Sequence, residues 1–180
     1  MKNRNHYLDQ LIRYKDKPFI KVITGIRRCG KSTLLSLFEN HLVANGVHKN
    51  HIIRMNFESF MFDDITSYKE LHAYISERLA NDHDRHYILL DEVQQVSSWE
   101  KVINSFLVDA NVDIYITGSN AYLLSSELST LLSGRYVEIK MQPLSFKEYL
   151  DFTETDTDDN QVKLQEAFHQ YLTYGGLPTV

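Results

Sequence analysis

The chain holds 180 residues, 43% hydrophobic and 24% charged, the proportions of one ordinary globular domain and not those of a disordered or collagen-like chain. The formal net charge is −5, and residues 151–160 (DFTETDTDDN) alone carry five acids and no Lys or Arg, so the remainder sums to about zero and no global basic field draws the chain onto DNA. A single cysteine excludes a disulfide framework and a thiolate metal cage. No apolar run approaches the roughly 20 residues of a membrane span, and MKNRNHYLDQ lacks the apolar stretch of a secretory signal, so the expected location is cytoplasmic, without a membrane partner.

In chain order, residues 1–18 read as a helical lead-in, 19–142 as an α/β core and 143–180 as the start of a helical lid that the chain does not complete. Phe19 to Thr24 (FIKVIT) is a β-branched strand that runs into a glycine-bearing turn. Ser32 to Ala44 follows, with Leu34, Leu35, Leu37, Phe38 and Leu42 on a helical face, and Asn45-Gly46 stops it. His51 to Phe57 is a second strand and Tyr68 to Ala80 a second helix. His86 to Leu90 is an unbroken apolar run ending in acids, as expected of a central strand covered on both faces. Trp99 to Asp109 is helical, with Trp99 and Phe106 on one core stripe, and Val112 to Thr117 is a fourth strand. The pattern loosens over Leu123 to Gly134 before a fifth strand at Tyr136 to Met141. Ser145 and Glu148 have the spacing of a capping box that opens a short helix to Phe152. The acidic stretch from Thr153 to Asn160 reads as a solvated loop, and Gln161 to Tyr174 returns to helical spacing before Gly175-Gly176. Strands alternating with helices call for a parallel sheet with crossover helices.

Gly25-Ile26-Arg27-Arg28-Cys29-Gly30-Lys31-Ser32, followed by Thr33, matches G-x-x-x-x-G-K-[ST] between a strand and a helix. The glycines let the backbone curl so that successive N–H groups point inward, and the helix adds its positive end to the same concavity. In such a loop Lys31 reaches the β- and γ-phosphates and the Ser32 hydroxyl holds Mg2+. The bland alternative is a glycine turn with an exposed lysine. Arg27 and Arg28 occupy variable positions and read as fillers. Cys29, at a helix start between cationic neighbours, is expected to ionise more readily than a free thiol, so that its modification blocks the loop.

Tyr87-Ile88-Leu89-Leu90-Asp91-Glu92 places two carboxylates at the carboxyl end of a buried strand, where open α/β sheets keep their ligands. Asp91 is assigned to the metal, mostly through water, and Glu92 to the attacking water as general base. Thr117-Gly118-Ser119-Asn120 ends the next strand, either touching that water or the terminal phosphate, or capping the helix that follows. Asn56 and Glu58, just past the second strand, either face the site or, the preferred reading, are solvated at the loop edge.

GIRRCGKST, YILLDEVQQV, ITGSNAYLL, LLSGRYVEIKMQPLSFKEYL and YLTYGGLP, in that order, resemble the ATPase domain of prokaryotic AAA+ superfamily proteins that carry a further C-terminal domain of unknown function. The resemblance spans Phe19 to the end. It implies a P-loop NTPase three-layer sandwich with a parallel sheet of about five strands, an extra strand lying between the loop strand and the acidic strand. It gives Lys31 and Ser32 the phosphate and magnesium roles, Asp91 and Glu92 the metal and base roles, and Ser119 or Asn120 a sensor role. Arg135, in Ser-Gly-Arg, resembles an arginine that approaches nucleotide from its own or a neighbouring subunit, against the plain alternative of a surface ion pair. Members look about twice as long, so the further domain and part of the lid are expected to be missing here.

Eight scattered histidines lack the paired spacing of a zinc site and read as surface residues. The expected activity is magnesium-dependent ATP hydrolysis coupled to a change of conformation or assembly, with ATP/ADP, further copies of the chain and a protein target as partners. ATP is preferred over GTP because no N-K-x-D tetrad appears and Val93-Gln94 follows Glu92 in place of a D-x-x-G switch. The competing readings are a nucleotide-gated interaction switch with little turnover, and the ATPase module of a DNA-associated protein, for which composition offers no support.

Overall fold

A computed structural model describes residues 4–79, 84–119, 130, 132, 134–153 and 161–177. Five strands, β1 (Ile20–Gly25), β2 (Ile52–Asn56), β3 (His86–Asp91), β4 (Val112–Ser119) and β5 (Tyr136–Met141), form one sheet in the order β2-β3-β4-β1-β5, and every pairing is parallel. β4 therefore lies between the strand that leads into the glycine loop and the strand that ends in the acids, as expected. β1 and β3 are buried along their whole length, which is why their sequences read as continuous runs and not as alternations.

Helices α1 (Asn5–Tyr14), α2 (Lys31–Ala44), α3 (Tyr68–Arg78) and α4 (Trp99–Asp109) cover the two faces, followed by α5 (Phe146–Thr153) and α6 (Gln161–Tyr174). Successive strand residues point to opposite faces, and the core divides accordingly. Ile88, Leu90, Ile114 and Ile116 pack with Leu71 and Ile75 of α3 and Trp99, Ile103 and Phe106 of α4. Leu89, Tyr115, Ile23 and Ile139 pack with Leu11 of α1 and Leu34, Leu35, Phe38 and Leu42 of α2. The result is the three-layer sandwich. α3 opens with a capping box, Ser67 with Glu70. At the start of α5, the Ser145 N–H donates to Glu148 Oε2 at 2.8 Å while the Glu148 N–H donates to Ser145 Oγ at 3.3 Å. Residues 154–160, most of the predicted acidic loop, lie outside the described residues.

The amino edge of the sheet is polar. Lys21 and Asp113, both fully buried, form an ion pair, and Asp113 Oδ2 also accepts from the Asp16 N–H at 2.7 Å and the Tyr115 hydroxyl at 2.9 Å. Lys21 donates in addition to the Lys17 carbonyl at 2.8 Å. Burial pulls the Lys21 ammonium below its ordinary range, with Asp113 opposing that, and burial beside Asp113 pushes the Tyr115 phenol far above its own. His86 corrects the expectation of surface histidines: it is buried at this edge, its ring 4.8 Å from that of His51.

Removing one partner of a buried pair leaves an uncompensated charge, a loss of about 3–5 kcal/mol. Lys21→Met is therefore expected to lower the unfolding free energy in urea by about that amount; a variant as stable as the parent would show that Asp113 is satisfied without the lysine.

Candidate functional site

The carboxyl edge of the sheet gathers the loop and the acids. Gly25 closes β1 where there is no room for a side chain: a Cβ would lie 2.7 Å from both Cys29 Sγ and the Met141 carbonyl oxygen. Gly30 turns the chain into α2 with φ +100°, a left-handed conformation natural to glycine, and no side chain caps the helix. The N–H groups of the first turn thus have no intrahelical acceptor. They border a cavity of about 270 Å³ lined by Arg27, Arg28, Gly30, Lys31, Ser32 and Thr33 of the loop and helix start together with the acids Glu58 and Glu92.

Lys31 is only 4% exposed. Its ammonium donates to the carbonyls of Gly25 (3.3 Å) and Ile26 (3.4 Å) and stands 3.3 Å from Glu92 Oε1. Glu92 has a left-handed backbone, φ 55° and ψ 47°, which for a non-glycine residue costs on the order of 1–3 kcal/mol and persists only when its surroundings hold it. Here the holding group is Thr117: the Glu92 N–H donates to Thr117 Oγ1 at 3.0 Å, and that hydroxyl donates to Asp91 Oδ1 at 2.5 Å. One threonine on β4 thus sets both acids of β3. The other Glu92 oxygen accepts from Gln94 Nε2 at 2.6 Å. Asp91, fully buried, faces Arg54 through Oδ2 at 3.5 Å, and the same guanidinium nitrogen donates to the Ser32 carbonyl at 3.2 Å.

The structure brings Gly25, Gly30, Lys31, Ser32, Thr33, Asp91 and Glu92 to one edge. Ile26, Arg27 and Arg28 are exposed on the loop, and Arg27 lies 3.5 Å from Glu58. Glu58 itself lines the cavity, closer to the chemistry than a loop-edge residue. Ser119 ends β4 in register with Gly25, and Asn120 lies outside the described residues. Arg135 is exposed and sits just before β5, whose first residue pairs with Ile20 at the amino edge. At about 3.3 Å per residue it is some 20 Å along the strand from the level of Gly25. Cys29 is a correction: its thiol is fully buried, and burial raises its pKa despite Lys31 and Arg4 nearby, so it is a packing group and not an activated nucleophile. Sequence reasoning missed Arg54, whose only signal is a cation inside a strand, and the part of Thr117, whose hydroxyl holds the two acids.

The donors fit a magnesium-bound triphosphate. The uncapped helix start and the Lys31 ammonium suit phosphate oxygens; Ser32 lines the cavity with a hydroxyl of the hard oxygen type that Mg2+ takes, while Asp91, fully buried and bonded to Thr117 and Arg54, stands behind that lining, where a carboxylate acts on such an ion through water.

Comparison with known proteins agrees with this fold. The family model described as AAA domain matches residues 17–150. An uncharacterised protein of Haemophilus influenzae is 46% identical over 180 residues, covering all of this chain and 44% of its own length. The chain spans less than half the length of the curated relatives it matches. Among solved structures, a Walker-type ATPase of Pyrococcus abyssi superposes with a TM-score of 0.63 at 17% identity, over 99% of this chain and 65% of its own. The ORC1 protein of Aeropyrum pernix, solved in complex with DNA, gives 0.64 at 16% identity, over 99% and 57%. At these identities the two share the fold.

Thr117→Val keeps the shape of the side chain but strips Asp91 and the Glu92 N–H of a partner, and a stability loss of about 1–3 kcal/mol in denaturant is expected. Unchanged stability would mean that water replaces the hydroxyl. For Cys29, labelling of the native protein by a thiol reagent at pH 8 should be slow and should accelerate on unfolding; prompt labelling of the folded chain would contradict the burial.

Proposed function

Since the chain belongs to the AAA domain family, we propose that it binds magnesium ATP at the carboxyl edge of its sheet and hydrolyses it, coupling turnover to a change of conformation or assembly. The observation that carries this reading is the buried Lys31 ammonium, 3.3 Å from Glu92, in a cavity floored by an uncapped helix start. In the proposed complex the loop amides from Gly25 to Thr33 and Lys31 orient the phosphates. Ser32 and Asp91 hold the magnesium ion, which when bound draws charge from the β- and γ-oxygens. Glu92 takes a proton from the attacking water as general base, and Ser119 or Asn120 senses the terminal phosphate. Arg135, on the far edge of its own domain, reaches a triphosphate only when supplied to a neighbouring copy. The net charge of −5 gives no support to DNA as a partner of this chain.

A second reading is favoured by one contact. Glu92 is tied on both oxygens, by Lys31 and by Gln94, so the base stays occupied until a phosphate draws Lys31 away. A domain in which that exchange is incomplete would bind ATP as a switch with little turnover.

Two substitutions test the site, the first under either reading and the second to separate them. Lys31→Ala is expected to abolish ATP retention on a filter. Glu92→Gln should keep retention while lowering phosphate release by roughly 10²–10⁴-fold, the range of a lost general base. Equal and low phosphate release by the Glu92→Gln protein and the parent would establish the switch.

A further inference from the structure

Arg4 lies far in sequence from the glycine loop, yet it is the most fully engaged cation among the described residues. Its backbone opens α1, where its carbonyl accepts the Tyr7 N–H at 3.0 Å, while its side chain, 8% exposed, turns back under the loop. A guanidinium carries five N–H donors in a fixed plane, and the contacts of Arg4 match that number. Nε donates to Glu148 Oε1 (2.8 Å), and Nη2 to Glu148 Oε2 (3.2 Å) and the Pro143 carbonyl (3.3 Å). Nη1 donates to the carbonyls of Gln142 (2.7 Å) and Cys29 (3.4 Å). Its plane also rests on the Tyr7 ring, 4.6 Å from the centroid, and the Tyr7 hydroxyl in turn accepts the Gln142 N–H at 3.1 Å.

The Cys29 carbonyl and the Gly30 N–H belong to one planar trans peptide, and in such a unit they point in opposite directions. A cation that holds the carbonyl from beneath the loop therefore aims the Gly30 N–H away from itself. Gly30 lines the cavity on the other side. Glycine at φ +100° imposes little preference of its own on that plane, so an external hold has work to do there. The same guanidinium grips Glu148 through both oxygens, and Glu148 is the residue that caps α5 through Ser145.

We propose that Arg4 is a positioning residue of the phosphate loop: it fixes the Cys29–Gly30 peptide so that the Gly30 N–H faces bound phosphate, and ties that orientation to helix α5 through Glu148. The inference rests on the reading of the cavity as a nucleotide site and adds the segment before β1 to its working parts. Because the strut acts on a loop amide and not on the terminal phosphate, its loss weakens ATP and ADP alike. Lysine cannot replace it, having three donors on a point charge in place of a planar fork.

The test compares the parent chain with Arg4→Ala and Arg4→Lys, each 15N-labelled and held well below its unfolding midpoint, in titrations with magnesium ATP and magnesium ADP. The Gly30 amide resonance should move in both variants before any nucleotide is added. Arg4→Ala should raise both dissociation constants roughly tenfold, as expected for one charge-assisted hydrogen bond, with Arg4→Lys recovering only part. Should Arg4→Ala fail to fold, Arg4→Lys carries the same comparison. Variants that melt earlier but bind both nucleotides as the parent does, with Gly30 unmoved, would reduce Arg4 to a purely structural clamp and overturn the proposal alone. A parent chain that bound neither nucleotide would overturn the nucleotide reading and the strut with it.

Discussion

A lysine ammonium enclosed to 4% exposure must be satisfied by what surrounds it, and the shape of this domain follows from how Lys31 meets that need. Two loop carbonyls, from Gly25 and Ile26, and one carboxylate, from Glu92, converge on it. For the carbonyls to converge, the loop must curl tightly, which requires glycine where a Cβ would strike Cys29 and Met141 and again at the left-handed start of α2. For the carboxylate to arrive, β3 must run parallel to β1 across the intervening β4, with Leu90 level with Val22, and Glu92 must take a backbone conformation that the Thr117 hydroxyl secures. On the proposed function, phosphate oxygens compete with Glu92 for this ammonium, 3.3 Å from the carboxylate, so that binding an anion and releasing Glu92 are one event.

The two edges of the sheet divide their work by charge. At the amino edge Lys21 and Asp113 are buried against each other, with the Asp16 N–H and the Tyr115 hydroxyl also donating to Asp113. At the carboxyl edge the charged groups border a cavity, and one guanidinium nitrogen of Arg54 is buried without a partner while its neighbour holds Asp91 and the Ser32 carbonyl. Closed pairs contribute to holding the fold; the open edge keeps its charges available to a ligand. Arg4 extends the open edge outward, since the bonds that hold the loop from below also reach the linker after β5 and the cap of α5.

Much of this was legible in the sequence because the responsible physics is local. Strands buried on both faces show as apolar runs, as in His86 to Leu90; a phosphate loop shows as glycines and a lysine at fixed spacing between a strand and a helix; a capping box shows as Ser145 and Glu148. What stayed hidden depends on partners distant in the chain. Arg4 precedes Glu148 by 144 residues, and nothing near Arg4 announces that contact. Nothing local marks Lys21 as buried; its partner Asp113 is placed against it only by the β1–β4 pairing. Cys29 was misjudged for a related reason: its charged neighbours are visible in sequence, whereas the burial that outweighs them is set by Gly25, Met141 and the packing of α2. Arg135 belongs to the same class, its role depending on a distance along β5 that only the sheet defines.

The central claim is that phosphate and Glu92 compete for the Lys31 ammonium. A crystal structure of this chain with magnesium and a non-hydrolysable ATP analogue tests it most directly. The account predicts the β- and γ-phosphates seated on the amides from Gly25 to Thr33, with the lysine ammonium on their oxygens and Glu92 turned from it toward a water. A nucleotide bound elsewhere, or bound at this edge with the Lys31 and Glu92 pair still intact, would contradict it.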